Sequence, residues 1–176
     1  PEMDEQLGII AEVVQNMASL NQQLLAFSRK DELIMSPVEL NMIIEDALKL
    51  LRPAISTTID IQTKITSKSQ ILGDPTRLHQ IIMNLCTNAV HAMDEKGGTL
   101  EVGLREFTLD DTAVVDELGI KPGEYLKLIL RDTGKGIAPE IKDRIFEPYF
   151  TTKEIGRGTG LGLSVIHGIV QSHQGA

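Results

Sequence analysis

The sequence predicts an α+β fold preceded by a separate N-terminal helix. Residues 57–65 alternate apolar and polar side chains, and so do residues 100–104 and 126–130, a pattern typical of half-buried strands. Residues 40–51 and 75–93 repeat apolar side chains at steps of three and four, which is typical of amphipathic helices. A further run with helical spacing opens the chain. Helices and strands that follow one another in this way predict a mixed architecture.

Composition limits both size and function. The chain has 176 residues, of which 41% are hydrophobic, enough for the core of one ordinary domain with an appendage. Its net charge of -8 comes without a basic patch, so we expect no nucleic-acid binding. The single cysteine, Cys86, cannot form an intrachain disulfide, which favours the cytoplasm. No apolar run approaches the roughly 18 residues of a membrane span and no signal peptide opens the chain, so we expect no membrane contact by this segment.

The N-terminal helix is predicted over residues 5–30, where two overlapping apolar seams make a wide face. One helix cannot bury such a face alone, so the first interpretation is a homodimer that forms a four-helix bundle. The alternative is a helix that packs on its own domain. Ser36–Pro37 indicates a linker within residues 31–38. We therefore predict a bundle segment over residues 1–35 and a second domain over residues 36–176.

The second domain begins with the helix of residues 40–51, which is predicted to end before Arg52–Pro53. The strand of residues 57–65 follows. Asp74–Pro75 then supplies a capping carboxylate and a proline at the first helical position, and predicts the start of the next helix. Residues 108–124 are acidic and are read as a surface excursion. The last predicted strand ends at Asp132.

Three polar side chains share one flank of the helix that starts at Pro75. At about 100° per residue, Asn84, Asn88 and His91 fall close together and away from the apolar stripe. An asparagine carbonyl oxygen suits a hard cation such as Mg²⁺ that is held mainly by substrate phosphates. A solvated helix face is the alternative. The carboxylate of Asp132 suits an exocyclic amino group such as that of adenine, and a turn-capping Asx residue is its alternative.

Glycines cluster near the C-terminus, before the apolar spacing of a last helix. Glycines at positions 134 and 136 are followed by alternate glycines from 156 to 162, with Lys153 and Arg157 nearby. A glycine-rich basic loop at a helix N-terminus suits phosphate, because free N–H groups and the helix dipole meet there. A mobile surface loop is the alternative. The P-loop and dinucleotide-binding patterns are both absent, so another nucleotide fold is implied.

Four segments in this order resemble a known family. NLCTNAVHAM, DTGKGI, IFEPYFTTK and GRGTGLGL resemble the N box, first glycine box, F box and second glycine box of the ATP-binding domain of two-component sensor histidine kinases. LNQQLLAFSRK resembles the end of the second helix of the family's dimerisation and phosphotransfer domain. The resemblance implies a two-layer α/β sandwich, in which helices cover one face of a mixed sheet.

The resemblance also implies roles for individual residues. Asn88 matches the Mg²⁺ ligand, and Asn84 stands where hydrolysing relatives carry a glutamate base. His91 matches a phosphate-contacting position, and Asp132 matches the adenine-reading aspartate. The expected catalytic residues are Asn84, His91 and Lys153. The residues expected to bind ATP and Mg²⁺ are Asn84, Asn88, His91, Asp132, Gly134, Gly136, Ile137, Thr151, Thr152, Lys153, Arg157, Gly158, Thr159, Gly160, Leu161, Gly162 and Leu163.

The activity that the resemblance implies is phosphoryl transfer from Mg·ATP to a histidine, and from there to an aspartate of a response-regulator receiver domain. The family's acceptor histidine lies on the first bundle helix, which this sequence does not show, so we expect no autophosphorylation by this chain alone. The family usually continues with two more strands, so a sheet edge is expected to be exposed unless residues are missing or a partner covers it. The expected location is the cytoplasm, as a free protein or as part of a membrane-bound sensor. The alternatives are a non-catalytic binding module and a hydrolysing ATPase of the same superfamily.

Overall fold

A computed structural model describes residues 33–93, 96–110, 119–153 and 158–176. The strands are β1 (Ser36–Glu39), β2 (Ile59–Ile65), β3 (Gln70–Gly73), β4 (Gly98–Leu109) and β5 (Gly123–Asp132). The helices are α1 (Leu40–Leu51), α2 (Pro75–Met93) and α3 (Gly162–Ser172), with short 3₁₀ segments at Arg52–Ala54 and Pro139–Arg144. The predicted helix of residues 5–30 lies outside the described residues, and the domain boundary after residue 35 stays a prediction.

The main sheet is mixed, as the predicted fold class requires. β2 runs parallel to β4, with Ile61 opposite Leu100, and β4 runs antiparallel to β5, with Leu100 opposite Asp132. The order is β2-β4-β5, so β5 is an edge strand in the described part of the chain. This position brings Asp132 beside the start of β4.

The core lies between this sheet and the three helices. Leu100, Val102 and Leu104 of β4 are almost completely buried, whereas Arg105 on the opposite face is exposed. Ile44 of α1, Ile82 of α2 and Ile169 of α3 belong to the same cluster. Burying such a side chain contributes about 1.5–3 kcal/mol, so the apolar alternation of β4 decides which face the helices cover.

Cys86 belongs to this core as well. It is completely buried, and desolvation by burial raises the pKa of its thiol to about 11. The side chain is therefore a neutral packing group at physiological pH and not a nucleophile.

No helix in the described ranges combines the length and the apolar character that crossing a bilayer requires.

Asp74 caps α2, as predicted, and also joins α2 to α3. Its Oδ1 accepts hydrogen bonds from the backbone N–H groups of Thr76 and Arg77, at 2.9 and 3.1 Å. Its own backbone N–H donates to Nε2 of His173, at 3.0 Å. Because Nε2 accepts, Nδ1 carries the proton and donates to the carbonyl of Ile169, at 2.8 Å. A neutral His173 therefore fastens the end of α3 to the start of α2.

One assignment made from the sequence was wrong, and one strand was missed. Ser36–Pro37 was predicted to be a linker, but it opens β1, in which Val38 lies opposite Ile71 of β3. β3 was not predicted at all. Both strands have only four residues, too few for a period of two to stand out, and their pairing joins segments more than 30 residues apart.

The predicted excursion over residues 108–124 is also shorter than expected. β4 continues to Leu109 and β5 begins at Gly123, with these two residues opposite each other. The polar residues at these strand ends lie in the exposed part of a hairpin. A strand that faces solvent does not need alternating apolar residues, so the sequence pattern did not reveal these ends. The connection between β4 and β5 thus covers residues 110–122.

Replacing Gly168 with alanine is expected to stabilise the domain by about 0.5–1 kcal/mol, because glycine inside a helix costs backbone entropy. Gly168 lies within α3, and a methyl group at this position would meet no other atom within 4 Å. Urea denaturation measures the effect. Gly73→Ala is the matched control and is expected to destabilise, because its methyl group would lie 2.8 Å from Cδ1 of Leu78. A lower free energy of unfolding for Gly168→Ala would contradict the prediction.

Candidate functional site

The polar flank of α2 faces the start of α3. Asn84 and Asn88 are half-buried and His91 is exposed. The side-chain Nδ2 of Asn84 is inaccessible to solvent and has no hydrogen-bond partner in the described structure. A methyl group at Gly162 would lie 3.5 Å from Nδ2 of Asn88, so the first residue of α3 sits directly against that amide. On this flank, the buried amide of Asn84 therefore has unused hydrogen-bonding capacity.

Asp132 lies at the end of β5, next to a turn that is fastened to α2. Its Oδ1 accepts a hydrogen bond from the backbone N–H of Gly134, at 2.9 Å, so the Asx turn considered as an alternative is present. The second carboxylate oxygen has no hydrogen bond in the described part of the chain and remains available. Lys135 donates its backbone N–H to the carbonyl of Ala92 at the end of α2, at 3.1 Å.

Gly134 and Gly136 serve this turn in different ways. A methyl group at Gly134 would lie 2.5 Å from the carbonyl carbon and oxygen of Ala92, so only glycine permits this approach. Gly136 has a φ of +68° and faces open space. It borders a cleft of about 420 Å³ whose wall includes the half-exposed Ile137. The cleft is lined by Lys135, Gly136, Ile137, Ala138, Ile141 and Thr152.

Basic side chains from three segments meet near the end of α2. Nζ of Lys153 lies 3.0 Å from Nδ1 of His91, although the two residues are 62 positions apart in sequence. Burial, and then the positive charge of Lys135, lower the pKa of Lys153 below its usual value. Such a cluster is suited to an anion, which would relieve the repulsion between the two lysines.

The segments on either side of residues 154–157 lie together. A methyl group at Gly158 would lie 2.9 Å from Oγ1 of Thr151. One at Gly160, which has a φ of +65°, would overlap the backbone of Tyr149. Oγ1 of Thr159 accepts a hydrogen bond from the backbone N–H of Leu161, at 3.3 Å. Arg157, predicted to be a site residue, lies outside the described residues.

The structure thus gathers most of the predicted site residues in three neighbouring segments. Asn84, Asn88 and His91 lie on α2, residues 132–137 form the turn after β5, and residues 151–153 meet residues 158–163 before and within α3. Leu161 is buried, whereas Thr151 and Thr152 are exposed.

Sequence reasoning missed two participants in this region. Lys135 lines the cleft, and its positive charge helps to lower the pKa of Lys153. Its place between the two glycines of DTGKGI could have indicated a role in the site. His167 packs its ring against Phe146, with the ring centroids 5.4 Å apart. No local pattern indicated that contact, since the two residues meet only through tertiary packing. The described residues contain no cluster of three or more His, Cys, Asp and Glu side chains that would hold a metal ion by themselves.

Comparison with known proteins identifies the family of the chain. Residues 73–176 match the family model described as histidine kinase-, DNA gyrase B- and HSP90-like ATPase. The chain is 37% identical over 161 residues to the sensor kinase CckA of Brucella abortus. This alignment covers 90% of the chain and 17% of CckA. It is 32% identical over 170 residues to the sensor histidine kinase ZraS of Escherichia coli K12. This alignment covers 95% of the chain and 32% of ZraS.

Solved structures with the same architecture include two histidine kinases. The mycobacterial sensor histidine kinase MprB is 27% identical, with a TM-score of 0.64 over 81% of this chain and 83% of that one. Full-length ShkA in complex with AMPPNP is 25% identical, with a TM-score of 0.67 over 98% of this chain and 34% of that one. The chain spans a third or less of the curated relatives named above. On the family match, and on the residues that build the site, the chain belongs to the histidine kinase-, DNA gyrase B- and HSP90-like ATPase family, as a catalytic domain of the sensor histidine kinase type.

Proposed function

We propose that this domain binds Mg·ATP and donates the γ-phosphate to a histidine outside these residues, for relay to an aspartate of a receiver domain. The observation that carries the proposal is the convergence of an available carboxylate, a cleft with an apolar wall and a cationic cluster around one end of α2. A nucleotide has these three parts in the same order: a base with an amino group, a flat ring and a polyphosphate.

Asp132 is suited to read the base. One of its oxygens is committed to the Gly134 N–H, and the other can accept a hydrogen bond from the exocyclic amino group of adenine. The cleft that begins at Gly136 has room for a flat ring, with Ile137 as its apolar wall. Binding would bury Ile137, which is 49% exposed, and apolar burial would contribute to affinity.

The phosphates would lie toward His91 and Lys153. The ammonium group of Lys153 can donate to phosphate oxygens, and Lys135 adds positive charge from the other side. The N-terminus of α3 at Gly162 adds backbone N–H groups and the positive end of a helix dipole. Arg157 and residues 158–163 are proposed to complete this binding surface.

The two asparagines of α2 fit a nucleotide-bound Mg²⁺. The carbonyl oxygen of Asn88 is proposed as a ligand, and the unpartnered amide of Asn84 would gain a partner once a nucleotide and its hydration shell are present. Bound Mg²⁺ would neutralise charge that develops on the phosphates. Neither amide can accept a proton, so water activation is weak and the phosphoryl group is kept for another acceptor. This argument favours a kinase over a hydrolysing ATPase.

The remaining assignments concern the whole protein. We propose that residues 5–30 pair with a second copy in a homodimeric bundle, since their wide apolar face needs partner helices. We place the domain in the cytoplasm, where ATP is available, and give it a response-regulator receiver domain as its partner.

The purified chain is expected to bind Mg·ATP but to retain no radiolabel from γ-labelled ATP on any of its histidines. Calorimetry measures the binding, and acid-labile label on the polypeptide measures the transfer. Failure to bind ATP would overturn the proposed function. Label on a histidine of this chain would overturn the placement of the acceptor outside it. Rapid release of inorganic phosphate would favour the hydrolase.

A further inference from the structure

The sheet face that points away from the three helices concentrates positive charge. Arg105 of β4 is exposed on this face, whereas the buried residues of the strand face the helices. The register of β4 with β5 places Lys127 directly opposite Arg105, and Arg131 lies four residues further on the same face of β5. Lys64 of β2 belongs to this face as well. Four cations from three strands therefore share one face in a chain whose net charge is -8.

Only part of this charge is balanced within the described residues. The carboxylate of Glu101 lies 3.1 Å from Nζ of Lys64, although the residue opposite Glu101 on β5 is Arg131. Arg105, Lys127 and Arg131 form no ion pair with any residue that the structure describes. The face therefore carries three cations whose charge the described part of the domain does not neutralise by direct contact.

The pairing of Arg105 with Lys127 is unfavourable for the isolated domain. Residues directly opposite each other on antiparallel strands have Cβ atoms about 4.5–5.5 Å apart, and like charges in such a pair destabilise the sheet. Nζ of Lys127 lies over the ring of Phe107, 5.2 Å from its centre, which offsets part of this cost. The hydrophobic core lies on the other face of the sheet, so packing does not require either cation. An anion from outside the domain would relieve the repulsion.

The composition of the face favours a protein partner over a membrane or a nucleic acid. Arginine and aromatic residues are enriched at protein interfaces, and half-buried Phe107, Tyr125 and Ile129 share the face with the cations. Recognition of anionic lipids takes clusters of about four to eight basic residues, and nucleic-acid binding takes a basic domain. This face has three cations without an ion pair among the described residues, and the chain as a whole is acidic.

We propose that the basic sheet face, defined by Arg105, Lys127 and Arg131, binds an acidic segment of a partner protein. A carboxylate placed between Arg105 and Lys127 turns a repulsive pair into two attractions, and the planar guanidinium group can bind a carboxylate through two hydrogen bonds. Lys127 and Arg131 are about 13 Å apart along β5, so they match two carboxylates of an extended segment four residues apart. The face lies opposite the helices, so the inference goes beyond the nucleotide site.

The test is fluorescence anisotropy of the chain with a labelled peptide of alternating glutamate and valine, with a glutamine–valine peptide of equal length as the uncharged probe. We expect the acidic peptide to bind more tightly than the uncharged one and to lose affinity as salt is added. Arg105→Glu is expected to weaken its binding about five- to tenfold, because one attraction becomes a repulsion. Lys49→Glu is the matched control, an equal charge change at an exposed position of α1, and is expected to stay within about twofold of wild type.

Arg105→Glu also separates binding from folding. The change places opposite charges in the cross-strand pair with Lys127, so the urea midpoint is expected to rise while peptide affinity falls. Its affinity for Mg·ATP is expected to stay within about twofold of wild type, because exposed charges act weakly at a distance. If this variant fails to fold, Lys127→Gln replaces it and is expected to weaken peptide binding about two- to fivefold.

Four results would overturn the proposal. The first is equal affinity of wild type for the acidic and the uncharged peptide, and the second is equal loss in Arg105→Glu and Lys49→Glu. Binding to phosphatidylserine vesicles without binding to the acidic peptide would assign the face to a membrane. Self-association that Arg105→Glu abolishes would assign it to a second copy of the chain. Peptide binding that appears only after the acidic residues of the β4–β5 connection are replaced with their amides would assign the face to the chain itself; these residues are Asp110, Asp111, Asp116 and Glu117.

Discussion

Asp132→Asn is expected to weaken ATP binding by about a hundredfold or more, equivalent to about 3 kcal/mol. The structure gives a specific reason for so large an effect. One oxygen of Asp132 already accepts the Gly134 N–H, so the asparagine will use its single carbonyl oxygen there. Its NH₂ group then faces the amino group of adenine, and two donors oppose each other in place of a charge-assisted hydrogen bond. Calorimetry with Mg·ATP measures the loss.

The matched control is Asp143→Asn, which removes the same charge from an exposed position in the 3₁₀ segment Pro139–Arg144, near the cleft. We expect its affinity to stay within about twofold of wild type, because exposed charges act weakly at a distance. An equal loss in both variants would show that net charge, and not base recognition, is responsible. Unchanged affinity in Asp132→Asn would remove the adenine-reading role.

Gly134→Ala is expected to abolish measurable ATP binding and to destabilise the domain by about 1–3 kcal/mol. The added methyl group would lie 2.5 Å from the backbone carbonyl of Ala92, so helix and turn must separate. That movement would break the bond from the Lys135 N–H to the same carbonyl, and it would move Asp132 away from α2. Urea denaturation and nucleotide titration measure the two effects separately.

Gly136→Ala tests the same turn without the collision. Gly136 has a φ of +68°, but a methyl group there would meet no atom within 4 Å. We expect only the cost of a left-handed backbone, about 1–2 kcal/mol, with a milder loss of affinity than in Gly134→Ala. If Gly134→Ala proves as stable as wild type and binds ATP equally well, the tight contact between turn and helix does not position the site.

The fold could be predicted best where the signal was local. The capping carboxylate and proline at Asp74–Pro75 marked the start of α2 correctly, because a helix N-terminus is satisfied by side chains two or three positions away. The alternation in β4 identified its buried face. The four-residue strands β1 and β3 were missed because each is too short to show a period and is stabilised by a distant partner.

The site residues also divide into those that a local pattern predicts and those that only distant contacts determine. The common flank of Asn84, Asn88 and His91 was predictable from helix geometry alone, since about 100° per residue determines which side chains are neighbours. The contact of His91 with Lys153, and the effect of Lys135 on that lysine, were not predictable, because these groups come from separate segments. The packing of His167 against Phe146 was unpredictable for the same reason.

By itself, the sequence determined the helices and longer strands, the family and the chemical types of the site residues, since periodicity, capping and motif order are written in neighbouring positions. Tertiary structure decided which oxygen of Asp132 is used, why Gly134 must be glycine, and that Nζ of Lys153 lies within hydrogen-bonding distance of Nδ1 of His91. These outcomes depend on how closely α2, the turn after β5 and the start of α3 approach one another. That approach is set by packing over the shared core, which no local stretch of sequence encodes.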